Sequence, residues 1–192
     1  NWMQMMDNVQ SLLPEIEKAA QVLKKGGVVI FPTDTGYGVG CIFDNKKAVE
    51  RIYRMKKRDV NQQFPNLVSE ISQVKKEAEI TPLAQNLIDT FWPGGLTIIL
   101  KKKGSNGKIA FRMPNSWLIK SLITQAGKPI IGTSANFHGD ATPKSFKELN
   151  PEFTKQADFV LEGECQLAVE STIVDATGDS LKIIRQGAVN VS

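Results

Sequence analysis

One stretch of the sequence decides the fold: residues 28–40, which read VVIFPTDTGYGVG. Val28 to Phe31 are apolar and mostly β-branched, which is typical of a short buried strand. Pro32 to Gly36 are polar turn residues, and Tyr37 to Ile42 have the pattern of a second strand. The sequence therefore predicts two strands joined by a polar turn that contains glycine.

Helices are predicted on both sides of this stretch. Before it, apolar residues recur at helical spacing and stop at Gly26 and Gly27. After it, Asp44 is expected to cap a helix that carries Val49, Ile52 and Tyr53. This second helix ends in a basic cluster formed by Arg54, Lys56, Lys57 and Arg58.

The rest of the chain alternates helices and strands early and pairs strands directly late. Helices are expected to start at Thr81-Pro82 and at Ser116, the latter ending at Gly127. Strands are expected near residues 67–68, 96–100, 109–112, 129–132, 159–161, 172–174 and 181–184, the last two as a hairpin. This order predicts an α/β fold with a mixed sheet of parallel and antiparallel strands. With no repeat or linker, we expect a single domain over residues 1–192.

Composition narrows the function classes only mildly. The 192 residues are 41% hydrophobic and carry a net charge of +4. That charge suits an anionic substrate or RNA, but it also suits an ordinary solvated surface. No apolar run approaches the roughly 20 residues that span a bilayer, and the first residues do not have the pattern of a signal peptide. We therefore expect a cytoplasmic protein that has no membrane partner.

The scarcity of metal-binding side chains limits the chemistry. The chain has one histidine, His138, and two distant cysteines, Cys41 and Cys165, which we expect to be reduced thiols. We predict no protein-bound metal, because zinc sites use clusters of these residues. Catalysis is then expected to use hydroxyls, amides and cations, with Mg²⁺ carried in by a substrate.

Polar turns after strands are the candidate binding segments. They lie at residues 32–36, 133–136 and 170–172. Ligands in α/β sheets bind beyond the carboxyl ends of strands, and such turns offer hydroxyls and backbone N–H groups to phosphates. Each segment taken alone is equally typical of ordinary turn chemistry.

Four cations are candidates for anion binding. Lys56 and Arg58 end a helix, where they could instead pair with the helix dipole. Arg112 and Arg185 each follow a short strand, where they could instead form surface salt bridges. Arginine binds phosphate and carboxylate in a bidentate manner, which favours a ligand site. The sequence has neither a phosphate loop of the G-x-x-x-x-G-K-[ST] type nor a G-x-G-x-x-G motif.

Taken together, these segments resemble the YrdC-type threonylcarbamoyl-AMP synthase family. Residues 29–40 are similar to its opening signature. Six further family elements follow in order: K-x-R at 56–58, W-P-G-x-L-T at 92–97, V-R-x-P at 111–114, S-x-N at 134–136, [PE]-S-T-I-V-D at 170–175 and L-R-x-G at 184–187. Seven ordered elements over nearly the whole chain make this resemblance specific.

The resemblance implies a twisted mixed α/β sheet with flanking helices and a concave, positively charged cavity. It also implies that the protein forms threonylcarbamoyl-AMP and pyrophosphate from L-threonine, bicarbonate and ATP. In the family, the N-carboxylate of threonine attacks the α-phosphate of ATP. The product then serves a separate transferase complex that modifies an adenosine of tRNA.

The resemblance also implies the site residues. The family's threonine contacts fall on Thr35, Arg112 and Ser171. Its nucleotide contacts fall on Arg58, Gln62, Lys108, Ser134, Asn136, Thr142 and Arg185. The expected catalytic cations are Lys56, Arg58, Arg112 and Arg185. One position departs from the pattern, because Gln62 stands where the family usually has lysine or asparagine.

Three other functions remain open at this point. A basic concave face could bind double-stranded RNA or tRNA without catalysis. A carbamoyl-transfer role is known for larger hydrogenase-maturation proteins that contain a similar domain. The departure at Gln62 would also fit an inactive paralogue.

Overall fold

The computed structural model describes residues 1–59 and 63–192. In these residues there are six α-helices: α1 Trp2–Lys24, α2 Lys46–Lys56, α3 Ile71–Glu77, α4 Pro82–Phe91, α5 Trp117–Ala126 and α6 Pro151–Thr154. The strands are β1 Val29–Pro32, β2 Tyr37–Gly40, β3 Asn66–Leu67, β4 Ala78–Glu79, β5 Leu96–Lys102, β6 Lys108–Arg112, β7 Ile130–Ile131, β8 Thr133–Ser134, β9 Phe159–Val160, β10 Thr172–Asp175 and β11 Lys182–Arg185. None of the described helices combines the length and apolarity needed to cross a lipid bilayer.

Capping residues explain where the longer helices begin. Thr81 and Ser116 cap α4 and α5 through their side chains, as predicted, and Gly127 ends α5 with a φ of 82°. The prediction for α2 was wrong by one residue. The Asn45 side chain accepts a hydrogen bond from the Ala48 amide and caps α2, while Asp44 pairs with Lys128 on the surface.

Two helices and two strands were not predicted; one of these strands is β8, which forms where a polar turn was expected. The α3 helix has only seven residues, and its N-terminus is held by a reciprocal capping box between Glu70 and Gln73. The following strand β4 has two residues and, among the strands that the structure describes, pairs only with β5. The α6 helix has four residues. Elements this short do not display enough of a period to be found from the sequence.

The strands form a mixed arrangement, as predicted, but the hydrogen-bond ladder is divided in two. One ladder has the order β8-β2-β1-β9, and the other has the order β11-β10-β5-β6-β3-β7 with β4 beside β5. Parallel pairing joins β1 to β9, β5 to β10 and β3 to β6. The predicted hairpin of β10 and β11 is confirmed as an antiparallel pair.

Residues 130–134 join the two ladders. Ile130 and Ile131 pair with β3, and Thr133 and Ser134 pair with β2. Between them, the Gly132 amide donates to the Pro65 carbonyl over 3.1 Å. An isolated bridge from Ile42 to Ile130 continues the pairing. This segment therefore places the polar turns of the small ladder beside the end of the large one.

Side-chain alternation gives the large ladder one apolar face and one polar face. Leu96, Ile98 and Leu100 of β5 are buried with Phe111 of β6 in a core that also contains residues of α3 and α4. Thr97 and Arg112, which are partners in the β5–β6 register, lie between these apolar positions. They therefore point to the opposite face, where the candidate site lies.

A second core packs α1 and α5 against the small ladder. It contains Ile16 and Leu23 of α1 with Ile119 and Ile123 of α5, all fully buried. This core fixes the start of the stretch that carries the first polar turn. Both cysteines of the chain are free thiols.

Removing the Phe111 side chain tests the division between the two faces. Phe111 is fully buried, so Phe111→Ala should lower the free energy of unfolding by about 3–5 kcal/mol. Urea unfolding followed by circular dichroism measures this change. Lys101→Ala on the exposed end of β5 is the control and should change stability by less than about 1 kcal/mol. Equal effects of the two variants would contradict the assignment of the buried face.

Candidate functional site

Seven of the eleven predicted site residues line one cavity of about 240 Å³. The cavity lies on the polar face of β5 and β6 and is bounded by the turn after β1, the end of α2, the β8 region and the segment before β10. The seven residues are Thr35, Arg58, Arg112, Ser134, Thr142, Ser171 and Arg185. Segments far apart in the sequence thus form a single site.

A buried ion pair forms one wall of the cavity. Nη1 of Arg112 donates to Oδ1 of Asp34 over 2.6 Å. Only 6% of the Arg112 side chain and 1% of the Asp34 side chain are exposed. The other carboxylate oxygen of Asp34 accepts from the Asn115 amide. Both charges are therefore paired and hydrogen-bonded inside the protein, as burial requires.

Arg112 also orders the hydroxyl groups of the first turn. Its Nη2 donates to the hydroxyls of Thr33 and Thr35 over 3.2 and 3.0 Å, and its Nη1 also reaches the Gly94 carbonyl. The two terminal nitrogens of Arg112 thus donate to four protein acceptors, in Asp34, Gly94, Thr33 and Thr35. The threonine contact that the resemblance implies for Arg112 would, if made by a terminal nitrogen to the carboxylate, require one of these bonds to be exchanged.

The hydroxyl of Thr35 is oriented to donate. Thr33 Oγ1 gives its single proton to the Gly36 carbonyl at 2.7 Å. Because Thr35 Oγ1 accepts from Arg112, its own proton is available to Thr33 Oγ1, at 3.1 Å, or to an acceptor in the cavity. A carboxylate oxygen is a suitable acceptor for this proton.

A second pair of hydroxyls lies on the floor of the cavity. Ser171 Oγ and Thr97 Oγ1 are 2.9 Å apart, and both side chains are buried. Arg185 donates from Nε and Nη2 to the Ser171 carbonyl and from Nη2 to the Ser171 hydroxyl. Arg185 therefore fixes the position of Ser171 while its guanidinium remains partly exposed at the rim.

Glu170 links two predicted nucleotide contacts. Its Oε1 accepts from the Thr142 hydroxyl over 2.8 Å. Its Oε2 lies 3.7 Å from Nη1 of Arg185. The carboxylate thus joins the loop after β8 to the end of β11 across the rim of the cavity.

Arg58 is placed as a phosphate contact. It follows Lys57, which ends α2 in the left-handed conformation, and its guanidinium lies over the Phe64 ring at 5.0 Å. Burial lowers the pKa of Arg58 from its ordinary value, and the Tyr53 phenol partly opposes this shift. Its buried Nε has no hydrogen-bond partner among the described residues. A half-buried cation whose buried donor is unpaired gains free energy when an anion binds.

Lys56 does not line the cavity, although it was predicted to be catalytic. Its side chain is 2% exposed, and its Nζ donates to the Ser134 carbonyl, the Ser134 hydroxyl and the Asn136 carbonyl. Burial, followed by the charge of Arg58, lowers the pKa of Lys56 to about 8. Its place in the structure is therefore beneath the loop that presents Ser134.

Asn136 also shapes this loop from within. Its Nδ2 donates to the Phe137 and Asp140 carbonyls, and it does not line the cavity. Asn136 thus supports the turn that leads towards Thr142. The structure places both Lys56 and Asn136 behind the cavity wall, where Lys56 Nζ and Asn136 Nδ2 donate to backbone carbonyls.

Lys108 lies outside the cavity, at the opposite end of β6 from Arg112. Its Nζ donates to Asp175 Oδ2 over 2.6 Å, and more than half of its side chain is exposed. Burial tends to raise the pKa of Asp175, but Lys108 and Thr177 lower it to about 2. Lys108 lines a neighbouring cavity with Phe43 and Tyr53. The predicted contact Gln62 falls outside the described residues.

Sequence reasoning missed several residues of the site. Asp34 belongs to the first polar turn, but nothing in the sequence shows that it pairs with an arginine 78 positions later. Thr97 lies in an apolar strand, whose sequence pattern predicts a core residue at this position. Glu170 lies in a family element without a predicted role. The described lining carries three guanidinium groups and one carboxylate, and the carboxylate of Asp34 pairs with Arg112 behind it.

Removing the Asp34 carboxylate should be costly for stability. Asp34→Ala leaves the Arg112 charge buried and unpaired, and should lower the free energy of unfolding by about 3–5 kcal/mol. Asp44→Ala is the matched control because Asp44 forms a surface ion pair of similar length, 2.9 Å. That control should cost less than about 1 kcal/mol. Urea unfolding at one pH compares the two; a cost for Asp34→Ala no larger than that of the control would show that the pair is not desolvated.

The comparison with protein-family models identifies one match. The model described as telomere recombination, which covers the Sua5, YciO and YrdC proteins, matches residues 21–187. This range contains all eleven predicted site residues. The match also contains the Asp34–Arg112 ion pair, the hydroxyls of Thr97 and Ser171, and residues 130–134, which join the two ladders.

Relatives and solved structures agree with this match. A protein of Methanocaldococcus jannaschii, provisionally named threonylcarbamoyl-AMP synthase, is 35% identical over 92% of this chain and 89% of its own length. P. abyssi Sua5 complexed with L-threonine has a TM-score of 0.84 and 31% identity, over 90% of this chain and 54% of that one. E. coli YciO has the same TM-score and 27% identity, over 93% of this chain and 91% of that one.

The fold and the family match support the same assignment. The mixed sheets and flanking helices match those of Sua5 and YciO over nine-tenths of this chain. This chain spans about half the length of the Sua5 protein and most of the length of YciO. With a family model that extends over residues 21–187, the chain belongs to the Sua5/YciO/YrdC family.

Proposed function

We propose that the protein is an L-threonylcarbamoyladenylate synthase, a nucleotidyltransferase. It forms threonylcarbamoyl-AMP and pyrophosphate from L-threonine, bicarbonate and ATP. One observation carries this proposal: a single cavity contains both hydroxyl groups and cations. The Asp34–Arg112 pair holds the hydroxyl of Thr35, and the guanidinium groups of Arg58 and Arg185 line the same cavity. A relative named for this synthase activity and a Sua5 structure that contains L-threonine support it.

The threonine end of the cavity is formed by Thr35, Arg112 and Ser171. The Thr35 hydroxyl donates to the amino-acid carboxylate, with Arg112 behind it as the source of positive potential. Ser171 and its partner Thr97, 2.9 Å apart, provide hydroxyls for the polar side chain of threonine. A site that hydrogen-bonds a substrate hydroxyl rejects the analogue that lacks it, so threonine is favoured over valine.

The nucleotide end is formed by Arg58, Ser134, Thr142 and Arg185. Arginine forks bind phosphate oxygens, and Arg58 has a buried donor that no described residue satisfies. Lys56 acts as a positioning residue, because it holds the Ser134 carbonyl and hydroxyl from beneath. Asn136 supports the same loop, while Lys108 and Gln62 stay predicted contacts for the outer part of the nucleotide.

Catalysis depends on position and charge. The N-carboxylate of threonine must lie in line with the α-phosphate, and fixed subsites on one sheet face supply that proximity. Arg58 and Arg185 stabilise the charge that moves onto the departing pyrophosphate. Mg²⁺ enters with ATP and neutralises phosphate charge. In the described residues, no group of three histidine, cysteine, aspartate or glutamate side chains could hold a resident metal.

The product is a reactive mixed anhydride that has to be passed on. We propose that a separate transferase uses it to modify an adenosine of tRNA, in the cytoplasm. The rival function, RNA binding without catalysis, explains the net charge of +4 but not the enclosed hydroxyl and guanidinium groups. Whether tRNA binds this chain directly stays a separate prediction.

Pyrophosphate release tests the proposed function. The purified protein with ATP, Mg²⁺, bicarbonate and labelled threonine should release pyrophosphate only when threonine and bicarbonate are both present. Arg58→Ala should lower the rate by about 10²–10³-fold, because it removes a donor to the developing charge. Arg54→Ala, one turn earlier on the exposed side of α2, is the control and should retain most of the activity. Release that needs neither threonine nor bicarbonate would contradict the proposal.

A further inference from the structure

We infer that Glu170 accepts the proton of the threonine ammonium group and is therefore a catalytic base of the N-carboxylation step. The inference rests on the proposed function. It assigns the deprotonation of threonine to a residue whose carboxylate contacts Thr142 and Arg185. Three points support it: the reaction needs an unprotonated amine, the described cavity lining offers few groups that could accept the proton, and the carboxylate of Glu170 lies between the two proposed subsites.

The first step needs an unprotonated amine. Threonine is an ammonium ion near neutral pH, since amines titrate above it, and an ammonium has no electron pair for attack. Once one proton has moved to a base, the nitrogen pair forms a bond to the carbon of bicarbonate. The bond from that carbon to its hydroxyl breaks, and the hydroxide leaves as water with a second proton from nitrogen. The balanced result is the N-carboxylate, one water and one proton held by the base.

The lining of the cavity offers few candidates for that base. Its titratable groups among the described residues are Tyr37, Arg58, Arg112, Glu170 and Arg185. Guanidinium groups remain protonated and cannot accept a proton. Tyr37 donates its hydroxyl to the Gly163 carbonyl over 2.6 Å, and burial raises its pKa to about 12.

Asp34 is not available for this role. Its Oδ1 is bonded to Arg112 and its Oδ2 to the Asn115 amide, and only 1% of its side chain is exposed. Glu170 differs in both respects. Its ion pair with Arg185 is long, 3.7 Å, and 45% of its side chain is exposed. Within the described lining, Glu170 is thus the carboxylate that can receive a proton and return it to solvent.

Glu170 also lies where the amine has to be. In the product, only one carbon and one oxygen separate the threonine nitrogen from the α-phosphorus, so the base must lie between the two subsites. Glu170 directly precedes Ser171, an expected threonine contact, and its carboxylate faces Arg185, an expected phosphate contact. No other described carboxylate that lines the cavity is in this position.

The surrounding charges favour the transfer. Arg185 on β11 faces the carboxylate, and Arg58 and Arg112 line the rest of the cavity. Nearby positive charge disfavours a cationic ammonium and lowers its pKa. The Thr142 hydroxyl, which donates to Oε1 over 2.8 Å, holds the carboxylate of Glu170 in place beside this site.

The charge-neutral variant Glu170→Gln tests the inference, because it keeps an oxygen for the Thr142 hydroxyl. Under saturating substrates at neutral pH, kcat should fall by about 10²-fold or more, the usual contribution of a general base. The lost rate should return by about tenfold per unit as pH rises, because solvent then deprotonates the amine. Binding of a non-hydrolysable ATP analogue and the unfolding midpoint should not be weakened.

Two further variants complete the experiment. Glu170→Asp keeps a carboxylate and should retain the native pH profile, although at a lower rate. Glu162→Gln removes an exposed carboxylate from the same segment and should leave rate and pH profile unchanged. A native kcat in Glu170→Gln, or a loss that more ATP restores at every pH, would overturn the role of Glu170. If the native protein itself releases no pyrophosphate with threonine and bicarbonate, the proposed function fails and not merely this step.

Discussion

The buried pair of Asp34 and Arg112 is the constraint on which the site depends. A guanidinium at the end of β6 can be buried only if a carboxylate and hydrogen-bond acceptors surround it. Asp34 provides that carboxylate, and its backbone carbonyl also accepts from the Leu167 and Ala168 amides. One residue of the first turn thus connects β6, the segment before α5 and the segment before β10. The proposed threonine subsite is consequently organised by the protein before any substrate arrives.

The pairing of the strands brings the remaining groups to that point. Because residues 130–134 leave the large ladder and join the small one, the loop with Ser134 reaches the same face as Arg112 and Ser171. Strand alternation then separates function from stability, with Phe111 in the core and its neighbour Arg112 in the cavity. Buried Lys56 holds the Ser134 loop from behind, which explains why a lysine of a family signature does not line the cavity.

Local patterns predicted much of the fold, because strand alternation and caps such as Thr81 and Ser116 act over a few residues. They did not predict α3, α6 or β4, which are too short to show a period, or the division of the ladder, which depends on distant pairing. For the site, the family resemblance predicted seven residues that the structure brings together in one cavity. They could not show that Lys56 bonds to the backbone of Asn136, or that Asp34 pairs with Arg112 and Glu170 with Thr142, since those contacts join residues about 30 to 80 positions apart.

A crystal structure with L-threonine and a non-hydrolysable ATP analogue tests the account most directly. We expect the threonine carboxylate at hydrogen-bond distance, about 3 Å, from Thr35 Oγ1. The bond between Asp34 and Arg112 should remain, and the α-phosphate should lie between Arg58 and Arg185. Threonine bound beside Phe43 and Lys108, or an Arg112 that leaves Asp34 to reach the ligand, would contradict a preformed subsite built on the buried pair.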